Sequence, residues 1–213
     1  MKRKPSIYSA FTIIELLVVT GIVAIVAATL FPVLSQVRRR SQTIVCTSNL
    51  RQLGQGIAMY SSDWDGGMPY APDPLSKTVA GDVPIWSDPI LLLDSTIPYD
   101  VRTLLRPYGC DLTLYHCPLD QNFIRSPGEK STFFEICGSS YWYDQNHALT
   151  GYKLSDYPTP STNVIMSDLD FFHLGRGSDI DLFTKGTTNL LFVDFHVKAY
   201  AWQDRTEFID AIP

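Results

Sequence analysis

The amino-acid sequence predicts an α+β protein: a long amino-terminal helix followed by a loop-rich head built on a small antiparallel β-sheet. Three observations predict it. Residues 11–34 form one apolar run with a single charge, Glu15, and a helical apolar pattern continues from there to about residue 62. Twelve of the 14 prolines lie beyond residue 62, and the acids of the chain are 18 Asp against four Glu. Asp and Pro favour caps and turns over helix interiors. Charge changes at the same place: residues 1–62 carry seven basic residues and one acid (net +6), residues 63–213 carry 10 and 21 (net −11), and the sum is −5.

A length of 213 residues suits one ordinary domain plus an appendage. A hydrophobic share of 45% with 18% charged residues excludes a largely disordered chain. The acidic balance argues against a dedicated nucleic-acid binder, which carries a basic stripe.

Residues 1–10 hold Lys2, Arg3 and Lys4 and read as a short basic leader. The 24 residues from Phe11 to Leu34 would make a helix of roughly 36 Å, enough to cross a hydrocarbon core of ~30 Å. A secretory signal peptide has a shorter apolar core and a small-x-small site after it, whereas Ala24–Ala28 lies inside this run. The leader keeps the amino end in the cytoplasm and sends the head out, although Arg38, Arg39 and Arg40 on the far side weaken that asymmetry. A plain signal anchor fits the hydropathy and leaves Glu15 unexplained. An intramembrane carboxylate costs roughly 2.5–3.5 kcal/mol and is functional by default; the bland reading is a side chain that snorkels to a membrane edge.

Ala10-Phe11-Thr12-Ile13-Ile14-Glu15-Leu16-Leu17-Val18-Val19 resembles the processing site of type IV prepilins and type II secretion pseudopilins. The resemblance implies cleavage between Ala10 and Phe11 by a prepilin peptidase and methylation of the new amino terminus. Glu15 becomes the fifth mature residue, where that family keeps its Glu; Ala replaces the usual Gly before the cut. The chemistry is coherent. Cleavage creates an ammonium at Phe11 near the lipid, and Glu15 of a neighbouring subunit can neutralise it, removing two isolated charges from low dielectric. Pro32 would then mark a helix kink, since proline withholds one backbone hydrogen bond.

From residue 35 to 62 the stripe Val37, Ile44, Val45, Leu50, Leu53, Ile57, Met59 and Tyr60 predicts a continuation of the helix packed on the head. Gly54 and Gly56 weaken it near its end, and Asp63-Trp64-Asp65-Gly66-Gly67 reads as a helix stop rather than a calcium loop.

The head, residues 63–213, extends the resemblance. Cys46-Thr47-Ser48-Asn49-Leu50-Arg51-Gln52-Leu53-Gly54, Cys117-Pro118-Leu119-Asp120, Ser139-Ser140-Tyr141 and Pro160-Ser161-Thr162-Asn163 are similar to a large pseudopilin-like family of environmental bacteria. That family ends in His, nine residues and Asp-Gly; here Thr184 is followed by nine residues and Asp194-Phe195. An Asp-Gly pair suits a type I′ hairpin with positive φ at both central residues, which Phe tolerates poorly, so a different turn or a looser loop is expected. Strands are expected around Leu114–Cys117, Ser140–Tyr143, Val164–Ser167, Leu190–Val193 and His196–Trp202, with a short helix over Arg205–Ile212.

Cys46, Cys110, Cys117 and Cys137 would lie where disulfides are permitted, and sequence leaves their pairing open. A zinc site from Cys110, His116, Cys117 and Cys137 lacks CxxC spacing; disulfides or buried thiols are the better expectation. Asp168, Asp170, Asp179 and Asp181 bracket a Gly-containing loop and are candidate calcium ligands, a reading the resemblance strengthens; the alternative is a solvated acidic loop. No GxSxG or HExxH occurs, and His116, His147, His173 and His196 are scattered, so no enzyme is expected. Tyr141, Trp142 and Tyr143 are expected on a packed sheet face.

Together these features imply a pilin-like fold and a filament subunit. Its partners would be further copies of itself, related minor pilins, the prepilin peptidase and an inner-membrane assembly platform. The precursor would be a single-pass inner-membrane protein, and the assembled form a periplasmic or surface filament. The alternative is a membrane-anchored extracytoplasmic binding module that never polymerises.

Overall fold

A computed structural model describes residues 12–71, 100–120, 123–126, 129–143, 152–168 and 187–201. The chain divides into two compact units, Met1–Ser41 and Gln42–Pro213. Helix α1, Ile13–Asp63, runs through the first and into the second as one element of 51 residues.

In the first unit every large apolar side chain of α1 is exposed, Ile13 at 83% and Phe31 at 70% among them. The helix is long and apolar enough to cross a membrane. Its hydroxyls are satisfied within the helix: Thr20 donates to the Leu16 and Leu17 carbonyls at 3.0 Å, Thr29 to Val26 at 2.9 Å and Ser35 to Pro32 at 2.8 Å. This back-bonding lets a hydroxyl sit where no water is available. α1 continues through Pro32 as one helical element.

In the second unit one face of α1 becomes core. Cys46, Asn49, Leu50, Leu53, Gly54, Gly56, Ile57, Tyr60 and Ser61 are buried, the i, i+3/i+4, i+7 spacing of a helix with one apolar side. Val37, Ile44, Val45 and Met59 are exposed, so the expected stripe is corrected at those positions. The two glycines are helical for reasons of space. A Cβ on Gly56 would come within 2.2 Å of Cys110 Sγ, and one on Gly54 within 3.0 Å of Leu191 Cδ1. α1 stops at Asp63: Asp65 (φ 51°) and Gly66 (φ 81°) turn left-handed, and Gly66 N–H returns to the Ser61 carbonyl at 2.7 Å. The expected helix stop is there.

Short elements follow: α2 (Val101–Leu105), 3₁₀ turns at Arg106–Tyr108 and Leu112–Tyr115, the hairpin β1 (Phe123–Ser126) and β2 (Glu129–Ser131), and α3 (Phe133–Cys137). Then come β3 (Tyr141–Tyr143), a 3₁₀ turn at Leu154–Asp156, β4 (Val164–Asp168), β5 (Thr187–Phe192) and β6 (Val197–Ala201). The last four strands form one antiparallel sheet in the order β3-β4-β5-β6. Tyr141, Tyr143, Ile165, Met166 and Leu191 from the sheet share one buried cluster with Leu50, Leu53 and Ile57 of α1. Tyr141 Oη donates to the Cys46 carbonyl at 3.4 Å, and Tyr143 Oη to that of Pro69 at 2.9 Å. An α+β fold with one long apolar helix and a small antiparallel sheet is therefore established.

One expected strand is wrong. Leu112–Tyr115 is a 3₁₀ turn, and residues 115–117 bond to Ser140 rather than to a ladder partner: Ser140 N–H to the Tyr115 carbonyl at 2.7 Å, Cys117 N–H to Ser140 Oγ at 3.0 Å. Tyr115, the last residue of that turn, and Cys117 are buried on either side of exposed His116. The helix expected at Arg205–Ile212 lies outside the described residues.

Candidate functional site

Three groups of residues carry candidate function: the start of α1, the disulfide-centred core of the second unit, and the β5–β6 hairpin. At the first, Thr12 and Glu15 form a reciprocal capping box. Glu15 Oε2 accepts from Thr12 N–H at 2.8 Å and from its hydroxyl at 2.9 Å, and Glu15 N–H donates to Thr12 Oγ1 at 3.3 Å. Two otherwise unpaired helix-end donors are satisfied this way. The Thr-x-x-Glu spacing carried this signal in the sequence, and Thr12 is the residue that sequence reasoning missed. Ala10 and Phe11 lie outside the described residues.

The four cysteines resolve into one disulfide and two buried thiols. Cys46 on α1 is bonded to Cys117, 71 residues away, and both are fully buried. Beside the bond, Asn49 Nδ2 donates to the His116 carbonyl at 3.1 Å. Cys110 packs on Gly56, where burial first and Asp111 second push its thiol up to about 11, keeping it protonated and unreactive at neutral pH. Cys137 Sγ donates to the carbonyls of Phe133 and Ser139 at 3.0 and 3.2 Å. The zinc set of Cys110, His116, Cys117 and Cys137 is excluded, because the Cys117 sulfur is in the disulfide. Among the described residues no three His, Cys, Asp or Glu side chains are placed to hold a metal.

Asp120 organises the segment after the disulfide. Its carboxylate accepts from Phe133 N–H at 3.1 Å, Phe134 N–H at 2.9 Å and Ser140 Oγ at 2.7 Å, tying the start of α3 to the loop before β3. Thr132 and Glu135 close a second capping box on the same helix. α3 ends at Gly138 (φ 76°), where a Cβ would meet Arg102 Nη1 at 1.9 Å. Arg102 donates from that nitrogen to the Cys137 carbonyl at 3.0 Å and pairs with Asp100 at 2.6 Å. Burial would raise Asp100, but the hydrogen bonds and charge of Arg102 hold it below the usual carboxylate range.

For Asp120, burial prevails over the three hydrogen bonds and raises the carboxyl above its ordinary value. The folded chain then binds that proton more tightly than the unfolded chain. Its contribution to stability is fullest below the unfolded pKa of about 4 and declines as pH rises through the folded value. Asp120→Ala should cost ~2–4 kcal/mol by orphaning buried donors. The gap between wild type and variant in urea midpoint should widen from pH 7 towards pH 4; a gap that narrows would contradict the raised carboxyl.

Of the four calcium candidates, Asp168 is described. It is buried in β4, and its Oδ2 accepts from Asn189 N–H of β5 at 2.6 Å. Asp170, Asp179 and Asp181 lie outside the described residues, as do His147 and His173. Tyr141 and Tyr143 are buried sheet residues with Trp142 half-buried between them.

The β5–β6 connection is one of the two alternatives expected for Asp194-Phe195, a turn other than type I′. Four residues, 193–196, join the strands, with Phe192 N–H donating to the His196 carbonyl at 3.0 Å and Phe195 N–H to that of Phe192 at 2.8 Å. Phe195 alone is left-handed (φ 66°), so one positive φ and not two is required. That conformation costs a non-glycine residue ~1–2 kcal/mol. Packing offsets it: the Phe195 ring lies over α1, 3.5 Å from where a Gly54 Cβ would sit. His196 stacks on Phe192 at 4.2 Å and pairs with Asp194.

Compared with protein-family models, curated proteins and solved structures, the chain matches none.

Proposed function

We propose that the chain is a pilin or pseudopilin subunit. Its leader is removed after Ala10, its amino terminus is methylated at Phe11, and its apolar helix packs with those of other copies into a filament. The observation that best supports this is the character of α1. One helix carries 15 exposed large apolar side chains between Ile13 and Val37, and the same helix later supplies the buried face Cys46–Ser61. An apolar surface of that length needs a cover, which a bilayer supplies before assembly and neighbouring helices supply after it. Between residues 12 and 37 Glu15 is the sole ionisable side chain, and in a filament the amino terminus of a partner subunit would neutralise it. The further partners are a prepilin peptidase, an inner-membrane assembly platform and related minor pilins, and the role is structural rather than catalytic.

The capping box favours a second reading. Thr12 gives Glu15 a local partner that needs no second subunit, as in a membrane-anchored extracytoplasmic binding module that does not polymerise.

Replacing Ala10 by Arg tests the processing step. The variant is expected to keep its leader, read as the uncleaved intact mass from membranes, while wild type is fully converted. A variant processed like wild type would count against cleavage at this bond.

A further inference from the structure

α1 leaves its apolar stretch through Arg38, Arg39 and Arg40, three exposed residues in consecutive positions. Successive helical residues turn by about 100°, so three of them cover about 200° of the circumference. They form a collar around the axis rather than a stripe along one face. Ser35 and Gln36 precede the collar and Ser41, Gln42 and Thr43 follow it, so residues 35–43 are polar except for Val37. As a helix that segment spans ~13 Å, enough to cross the roughly 5–8 Å of headgroups on one side of a bilayer. Residues 16–62 contain these arginines, Arg51 and no acid.

Membrane orientation does not explain the collar, since basic residues past the span work against an amino-terminal leader. A protein partner would meet one face of the helix, whereas a collar meets a plane. We propose that Arg38, Arg39 and Arg40 bind the phosphates of anionic lipids in the leaflet where α1 leaves the apolar layer, setting the depth of the chain in the bilayer. This rests on the membrane-spanning reading of α1 and holds whether or not the chain polymerises. Guanidinium groups grip phosphate oxygens in pairs, and their long stems lie along the edge of the apolar layer. Each basic residue at an anionic surface strengthens binding about fivefold, so the three together contribute about a hundredfold.

The test uses the full chain in a neutral detergent, titrated with short-chain phosphatidylglycerol, phosphatidylcholine of equal chain length, or inorganic phosphate, with bound lipid counted by native mass spectrometry. Phosphatidylglycerol should bind wild type about a hundredfold more tightly than R38Q/R39Q/R40Q, and phosphatidylcholine should bind both alike. On the unchanged chain, added salt should weaken phosphatidylglycerol binding alone. Equal phosphatidylglycerol affinity for the two proteins, or salt-insensitive binding, would overturn the proposal. Displacement of the lipid by an equal concentration of inorganic phosphate would also overturn it, since the site would then be for a free anion.

Discussion

Glu15→Gln should be processed and inserted like wild type and should form no filaments. Glutamine at the third helical position still closes a capping box with Thr12, so the helix start is retained. What is lost is the negative charge. If Glu15 neutralises the Phe11 ammonium of a neighbour, each subunit addition loses the ~2.5–3.5 kcal/mol typical of an uncompensated intramembrane charge, roughly a hundredfold or more per step. That loss recurs at every addition, which abolishes a polymer. Thr12→Val does the reverse: it breaks the cap at a cost of ~1 kcal/mol and leaves the charge, so filaments should persist. Immunoblotting for the processed form and imaging of sheared surface material read both steps. Normal filaments from Glu15→Gln would leave the capping box as the reason for Glu15 and would contradict its charge as the driver of assembly.

The second large effect is expected at the disulfide. Closing a loop of 71 residues lowers the entropy of the unfolded chain by the equivalent of about 4 kcal/mol. Cys46→Ala with Cys117→Ala should therefore lower the melting temperature by roughly 8–16 °C, given the usual response of a chain this size. The pairing has its own signature. Alkylation in denaturant without reductant should label Cys110 and Cys137, and prior reduction should expose all four cysteines. Four labelled cysteines without reductant would contradict the bond, and a melting temperature unchanged in the double variant would remove its structural importance. The position matters because Cys46 is the first fully buried residue of α1, so the bond ties the helix to the Tyr115–Asp120 segment where its buried face begins.

Much of the fold was legible because its signals are local. A long apolar run followed by a periodic stripe determined α1 nearly to the residue, and β-prone stretches bounded by turn residues located β3 to β6. The errors came from longer range. The strand expected around Leu114–Cys117 does not form, because Ser140, more than twenty residues away, supplies the hydrogen bonds that a ladder would have supplied. Gly54 and Gly56 looked like helix breakers because nothing local reveals that Leu191 and Cys110 fill the space above them. Likewise, the packing of Phe195 over α1 could not be inferred from the turn sequence alone.

The caps are a different case. Thr12-x-x-Glu15 and Thr132-x-x-Glu135 are both visible in the sequence, and the structure forms both. At the candidate site this matters most: Glu15 is legible as an anomaly of charge, and its local partner Thr12 lies three residues before it.

The amino-terminal residue and intact mass of the protein isolated from cells test the pilin reading most directly. Cleavage after Ala10 predicts a chain beginning at N-methylated Phe11, with Lys2, Arg3 and Lys4 absent. A chain that still begins at Met1 in assembled or membrane material would contradict it.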